Sequence, residues 1–413
     1  MHGTSLLGRA VEAFAATGSP EREQRYTRRA CAELLLERGA LLDEASWKNV
    51  LLMGSRGLLA LLWERGRLPA ELRVLAARGD LDAVRSALTL SPASTLHAAC
   101  IDACVFGHDA VAELIFTQCC ARDAELERRV EQGPGRGAFL AALADVERDE
   151  AAADSCDLWR SYVVSQVRQV IDRDVLDEFQ AWLTREPWLL SAPASGHQVA
   201  LLEHAIYTGR EPFIRALLAA EPAILTFEIP PPSAAIEYTF EYGHADYLPL
   251  MAQIWAVPDD LPHAAGVGDL TRVERWFDDQ GRAALGDPMR HFPMTAQRKL
   301  AHLGWGSDPV QHVLDAAFAW ACLNQHFAVA DFLLAHGADI NTVFSTHEPA
   351  SLLHECAIQG QHETARYLIT RGIDLTLRDQ RWNSTAEGWA REAAGDEVLA
   401  TLLAEAQKNR AGD

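Results

Sequence analysis

Residues 351–379 read SLLHECAIQGQHETARYLITRGIDLTLRD. Two small residues, Cys356 and Ala357, sit one helical turn before Gly360, and Ala365, Leu368 and Ile369 follow that glycine at five, eight and nine positions. This spacing puts three apolar side chains on one face of a short helix. The small pair lets a neighbour approach the preceding helix, and Gly360 supplies the backbone conformation that a tight turn demands. The stretch therefore predicts two short helices joined by a turn, with an apolar face that a single unit cannot bury by itself. Neighbours of the same kind are required.

Position for position, the segment resembles an ankyrin repeat. Ser351, Leu352, Leu353 and His354 stand where the family carries its Thr-Pro-Leu-His turn, and Gly360 and Gln361 stand where it carries Gly-His. Ala365, Leu368, Ile369, Gly372 and Ile373 match the family's Val-x-x-Leu-Leu helix and Gly-Ala exit. The resemblance implies an all-α solenoid of helix-turn-helix units, each of about 33 residues. Working outward, DFLLAHGADIN, ending at Asn341, is the close of a preceding unit with Ala330, Leu333 and Leu334 as its stripe. After Asp379, RWNSTAEGWA opens a last unit whose stripe is Leu399, Leu402 and Leu403, the pattern of a terminal cap. The same skeleton recurs upstream around Gly79, Gly107, Gly209, Gly243 and Gly268, and near the N-terminus only helix exits remain, at Gly39 and Gly66. Roughly eleven units fit once two interruptions are removed. The N-terminal half is divergent, and for the first 150 residues a generic array of α-helical hairpins matches the skeleton equally well.

The interruptions set the expected organisation: divergent N-terminal repeats over 1–120, a charged, glycine-containing insertion over 121–157, central repeats over 158–280, a long insertion over 281–309, and C-terminal repeats with a cap over 310–413. Within the first insertion, GPGRG at 133–137 breaks two helical stretches. In the second, Phe292, Leu300, Leu303 and Trp305 predict an ordered excursion.

The 413 residues carry a formal charge of −21, which repels nucleic acid and anionic membranes and attracts basic protein surfaces. No apolar run is long enough to span a bilayer and the N-terminus lacks a signal-peptide pattern, so a cytoplasmic location is expected. The eight cysteines lack metal or disulfide spacing and read as core thiols. Abundant Ala, Arg, Leu and Trp with little Lys give the composition a bacterial look.

Motifs for chemistry are sparse. GPGRG is followed by no Lys-Ser or Lys-Thr and is no phosphate loop, His362-Glu363 lacks the second His of a zinc-protease helix, and no cofactor or metal is implied. Asn383-Ser384-Thr385 reads as a turn. One constellation supports two readings. Six residues before the turn glycine, where the family carries His, stand Glu203 and Glu237, with His204 beside the first and Tyr207, Tyr238, Tyr242, His244 and Tyr247 nearby. They are either anchors that tie adjacent turns together or an acid and a base in a small-molecule pocket.

The function implied by the resemblance is binding of another protein through the concave face, in an adaptor, inhibitor or immunity, or effector role; the alternative is an enzyme using Glu203 and Glu237. In the family pattern the two residues before the turn glycine point into the groove. Those slots hold Phe106, Tyr207, Glu241, Tyr242, Leu323, Asn324, Ile358 and Gln359, and the final hairpin adds Arg381 and Trp382. The aromatic anchors Tyr207, Tyr242 and Trp382 are the expected centres of binding energy.

Overall fold

The structure, a computed structural model, describes residues 29–146, 157–190, 197–219, 233–291, 308–343, 350–379 and 382–412. Among them no β-strand forms. Isolated bridges close three hairpin tips, pairing Phe277 with Ala283, Val343 with Ser351, and Arg378 with Thr385. The fold is all-α and of the expected helix-turn-helix repeat type. It divides into two compact units, 1–169 and 170–413.

In the first unit, α1 (Arg29–Glu37), α2 (Glu44–Leu52), α3 (Arg56–Glu64), α4 (Leu72–Arg78), α5 (Leu81–Ala87), α6 (Ala93–Val105) and α7 (Asp109–Arg122) are followed by α8 (Ala124–Gln132), α9 (Arg136–Leu143) and α10 (Leu158–Asp172). Aspartates start several of these helices: Asp43, Asp80 and Asp123 each accept from a backbone N–H in the first turn that follows. α4 and α6 approach through buried Ala76, Ala77, Ala99, Cys100 and Ala103. Between them Arg73 donates to the fully buried Asp102 at 2.7 Å. Trp47, Leu51, Leu58, Leu62 and Phe106 fill the adjoining core. The charged insertion is helical where it is described: α8 and α9 flank the Gly-Pro-Gly turn, and Phe139 packs against Phe116 and Tyr162 at ring distances of 5.5 and 5.1 Å. Of the charged insertion, residues 147–156 lie outside the described residues.

The second unit contains α11 (Leu176–Arg185), α12 (His197–Tyr207), α13 (Glu211–Ala219), α14 (Ser233–Glu241), α15 (Leu248–Met251), α16 (Leu261–Val267), α17 (Leu270–Glu274), α18 (Pro309–Leu323), α19 (Phe327–Ala335), α20 (Leu352–Gln359) and α21 (His362–Thr370). A short α22 (Ala386–Gly388), a π-helical turn (Trp389–Ala394) and α23 (Glu397–Gly412) complete it. In the segment expected to cap the stack, Leu399 and Leu403 are buried and Leu402 is half-buried, Trp389 packs edge-on against His354 at 5.1 Å, and Arg410 donates to the carbonyls of Ile369 and Ile373. His354 accounts for its slot, with Nδ1 2.8 Å from Ser351 Oγ and Nε2 3.1 Å from the Ser384 carbonyl of the next repeat. Of the second insertion, 281–291 is ordered around buried His291, whose Nδ1 accepts from Leu261 N and whose Nε2 meets the Leu285 carbonyl. Phe292, Leu300, Leu303 and Trp305 lie outside the described residues.

A recurring contact joins consecutive repeats. The inner helix ends in a left-handed residue, and the residue after the next repeat's turn lays its side chain over it. His244 covers Gly209, and His326 covers Gly268. In the first unit His108 covers Gly79, with Nε2 2.9 Å from the Ala77 carbonyl. Gln325 and Asp174 hold the left-handed slot without being glycine, both at φ 60°.

One turn breaks the order. Gly243 is covered by Gln361, two repeats further along the chain than the 261–277 repeat that follows it in sequence. Asn324 Nδ2 donates to the Phe240 carbonyl and its Oδ1 accepts from Ala245 N, both at 2.9 Å, while Gln359 Nε2 donates to the Glu241 carbonyl at 3.2 Å. The end of α14 is thus docked on the ends of α18 and α20. Gly266 makes this possible from the other side, because a Cβ there would lie 2.7 Å from the Phe240 ring.

Candidate functional site

Where the α14 turn meets the ends of α18 and α20, the second unit leaves a recess of about 570 Å³. Tyr207, Tyr242, Gly243, His244, Gln325 and the run 358–363 line it. Tyr207, at the end of α12, is the exposed wall at 42% accessibility, and its ring meets Tyr242 edge-on at 5.1 Å. Tyr242 in turn stacks on Tyr238 at 5.9 Å and donates its hydroxyl to Glu203 Oε1 at 3.2 Å. Burial, and after it Glu203, holds the Tyr242 phenol far above its ordinary value. Burial and then Glu355 raise Tyr207. Burial holds His244 below the usual histidine range, so it is neutral at pH 7.

The slots expected to point into an open groove do not share one fate. Tyr207, Tyr242, Ile358 and Gln359 come together around the recess. Glu241 and Leu323 are 1% exposed and Tyr242 is 8% exposed, so these three are held by packing, contrary to the expectation that such positions are free of it. The cause is the docking of the α14 turn, to which Glu241 and Tyr242 belong, on the ends of α18 and α20, where Leu323 lies. Asn324 and Gln359 are half-buried and spend their amides on α14 carbonyls. Phe106 belongs to the first unit and is 3% exposed in its core. Trp382 packs edge-on against Trp389 at 5.1 Å within the cap. Arg381 lies outside the described residues.

Glu203 and Glu237 stand outside the lining of the recess. Glu237 is 1% exposed, and His204 is engaged with Asp172 at 2.8 Å across a repeat boundary. The residues that the sequence reading passed over are Gln325, Gln361 and His362. The signal is positional for Gln361, since the residue after each turn is the one that reaches the neighbouring turn. Among the described residues no group of three or more His, Cys, Asp or Glu side chains is placed to hold a metal ion, and no helix is long and apolar enough to cross a membrane. The seven cysteines among the described residues are all free, six of them buried.

Residues 305–410 match the family model Ankyrin repeats (3 copies). Residues 305–410 of the chain are ankyrin repeats. The match covers the repeats built on α18 to α23, including three of the turns that surround the recess or cap the stack, at Gln325, Gly360 and Gly395. None of the curated proteins compared with this chain matches it.

Proposed function

We propose that this protein binds a partner protein and that the recess between the Tyr207, Gly243, Gln325 and Gly360 turns is the centre of the contact. Ankyrin repeats generally mediate protein–protein interaction. The observation that carries the reading is the convergence of Tyr207, Tyr242, Ile358 and Gln359, four slots that the family pattern directs toward its binding face, on one open recess. Tyrosine anchors beside a partly solvated pocket are the composition of an interface hot spot. Adaptor, inhibitor and effector roles all use such a surface. The test is a photo-crosslinking residue placed at Tyr207, with the more exposed Val398 as control. The expected result is one protein captured in near-stoichiometric yield from position 207 and absent from position 398. Identical captures from both positions, or none from 207, reject the recess as the contact.

A further inference from the structure

The lining of the recess contains no lysine or arginine. Glu363 stands on its rim with one carboxylate oxygen paired to Arg366 at 2.9 Å and the other open to a further donor, and His362 of the lining faces Asp396 at 2.6 Å. Immediately behind the lining are Glu355, fully buried, and Glu241, 1% exposed, so that carboxylates outnumber cations around the recess. Neutral His244 adds no opposing charge. An occupant of this recess is therefore selected for positive charge.

A chain of amides fixes what the recess offers to that charge. Gln359 Nε2 donates to Glu355 Oε2 at 3.0 Å and to the Glu241 carbonyl at 3.2 Å. These bonds leave Gln359 Oε1 to accept from Gln361 Nε2 at 3.0 Å. The orientation of both amides follows from the network, and it leaves Gln361 Oε1 as an acceptor. That oxygen is buried and has no hydrogen-bond partner among the described residues. A buried acceptor without a partner is costly, so the site favours an incoming N–H. Beside it the Tyr207 ring presents an exposed aromatic surface.

Resting on the protein-binding reading above, we infer that the recess receives an arginine side chain projected by the partner. The guanidinium is flat, stacks on an aromatic ring and carries donors in a planar fork, so one group can face Tyr207 and reach Gln361 Oε1 and the Glu363 carboxyl together. A lysine ammonium is a compact, strongly hydrated point charge and gains less from a ring and an amide oxygen.

The probe is a blocked Gly-Arg-Gly tripeptide titrated into the full-length protein, read by NMR of its ring-labelled tyrosines. With seven tyrosines in the chain the signals are few. The expected result is saturable shifts of Tyr242 and Tyr207 with a dissociation constant of about 1–10 mM. The neutral citrulline analogue should bind about ten-fold more weakly, and the lysine tripeptide more weakly than the arginine one. Tyr207→Ala and Gln361→Ala should each weaken binding about three- to ten-fold, with the signals of Tyr247 and Tyr367, which do not line the recess, unmoved as proof of folding. Citrulline binding as well as arginine, lysine binding more tightly, or variants that keep full affinity would each overturn the inference. The two readings fail separately. A protein crosslinked from position 207 that excess arginine tripeptide does not displace keeps the protein-binding reading and rejects arginine. Tripeptide binding without any crosslinked protein keeps the guanidinium site and rejects the protein contact.

Discussion

Asp315 lies in the middle of α18, 4% exposed, where a carboxyl has little water to solvate its charge. Burial pushes its pKa up to about 6, against the opposing hydrogen bonds from Asp339 N at 2.8 Å and the Gln311 amide at 2.8 Å. A carboxyl whose folded pKa is raised favours the folded state most below its unfolded value near 3.8, and that contribution is lost as pH rises through about 6. The shift of about two units corresponds to at most about 3 kcal/mol. Asp315→Asn removes this titration while keeping one acceptor. The variant should therefore gain about 1–3 kcal/mol relative to the natural protein between pH 4 and pH 7. Urea unfolding at both values checks it, since carboxylates elsewhere titrate equally in the two proteins and cancel. An unchanged difference would show that Asp315 is solvated in the folded state.

At the scale of elements, the docking of α14 depends on one position. Gly243 has φ 71°, and a Cβ there would lie 2.2 Å from Gln361 Nε2 and 2.8 Å from the Leu323 carbonyl, which is backbone and cannot swing away. Gly209 has nearly the same φ, 67°, but its nearest neighbour would be the His244 ring at 3.2 Å. Both substitutions to alanine pay the left-handed backbone cost of about 1–2 kcal/mol. Gly243→Ala adds the overlap and should cost about 2–4 kcal/mol in total, exceeding Gly209→Ala by at least about 1 kcal/mol in urea unfolding. Equal losses would mean that the α14 turn is not clamped. The pair also shows what was legible in the sequence. Both glycines were readable as left-handed turns, because that requirement is local and only glycine meets it without strain. Which neighbour each turn faces was not readable. Gly209 takes the next repeat and Gly243 takes a distant one, although both follow the same turn skeleton, because neighbour choice is set by complementary surfaces far apart in sequence. For the same reason Glu241 and Leu323 were placed on an open groove, whereas they lie on the two sides of the contact between α14 and the end of α18. Tyr207 lies at the margin of that docking and kept its expected exposure.

For the whole molecule, each repeat is stable only with its face covered, so the ends decide solubility. Trp389, Leu399 and Leu403 close the C-terminal end, with Asp379 accepting from Ser384 N and Trp389 Nε1 at 2.8 and 3.1 Å. Removing every residue after Asp379 takes away these contacts and the Arg410 bonds to Ile369 and Ile373. The truncated protein should bind a hydrophobic dye several-fold more strongly and aggregate at concentrations where the full chain stays monodisperse. Unchanged dye binding and solubility would show that α20 and α21 do not rely on the cap.

The bond from Gln359 to the Glu241 carbonyl joins residues 118 positions apart. During synthesis at about 5–20 residues per second, Glu241 leaves the ribosome roughly 6–24 seconds before its partner does. Neighbouring repeats that pair in sequence order can form as they emerge, whereas the end of α14 must wait, with Tyr242 and Phe240 uncovered. The recess then comes into being only once α20 has emerged, long after α14, and no chain that stops short of α20 can present it. A nascent chain stalled short of α20 therefore offers a sticky surface in place of a binding site.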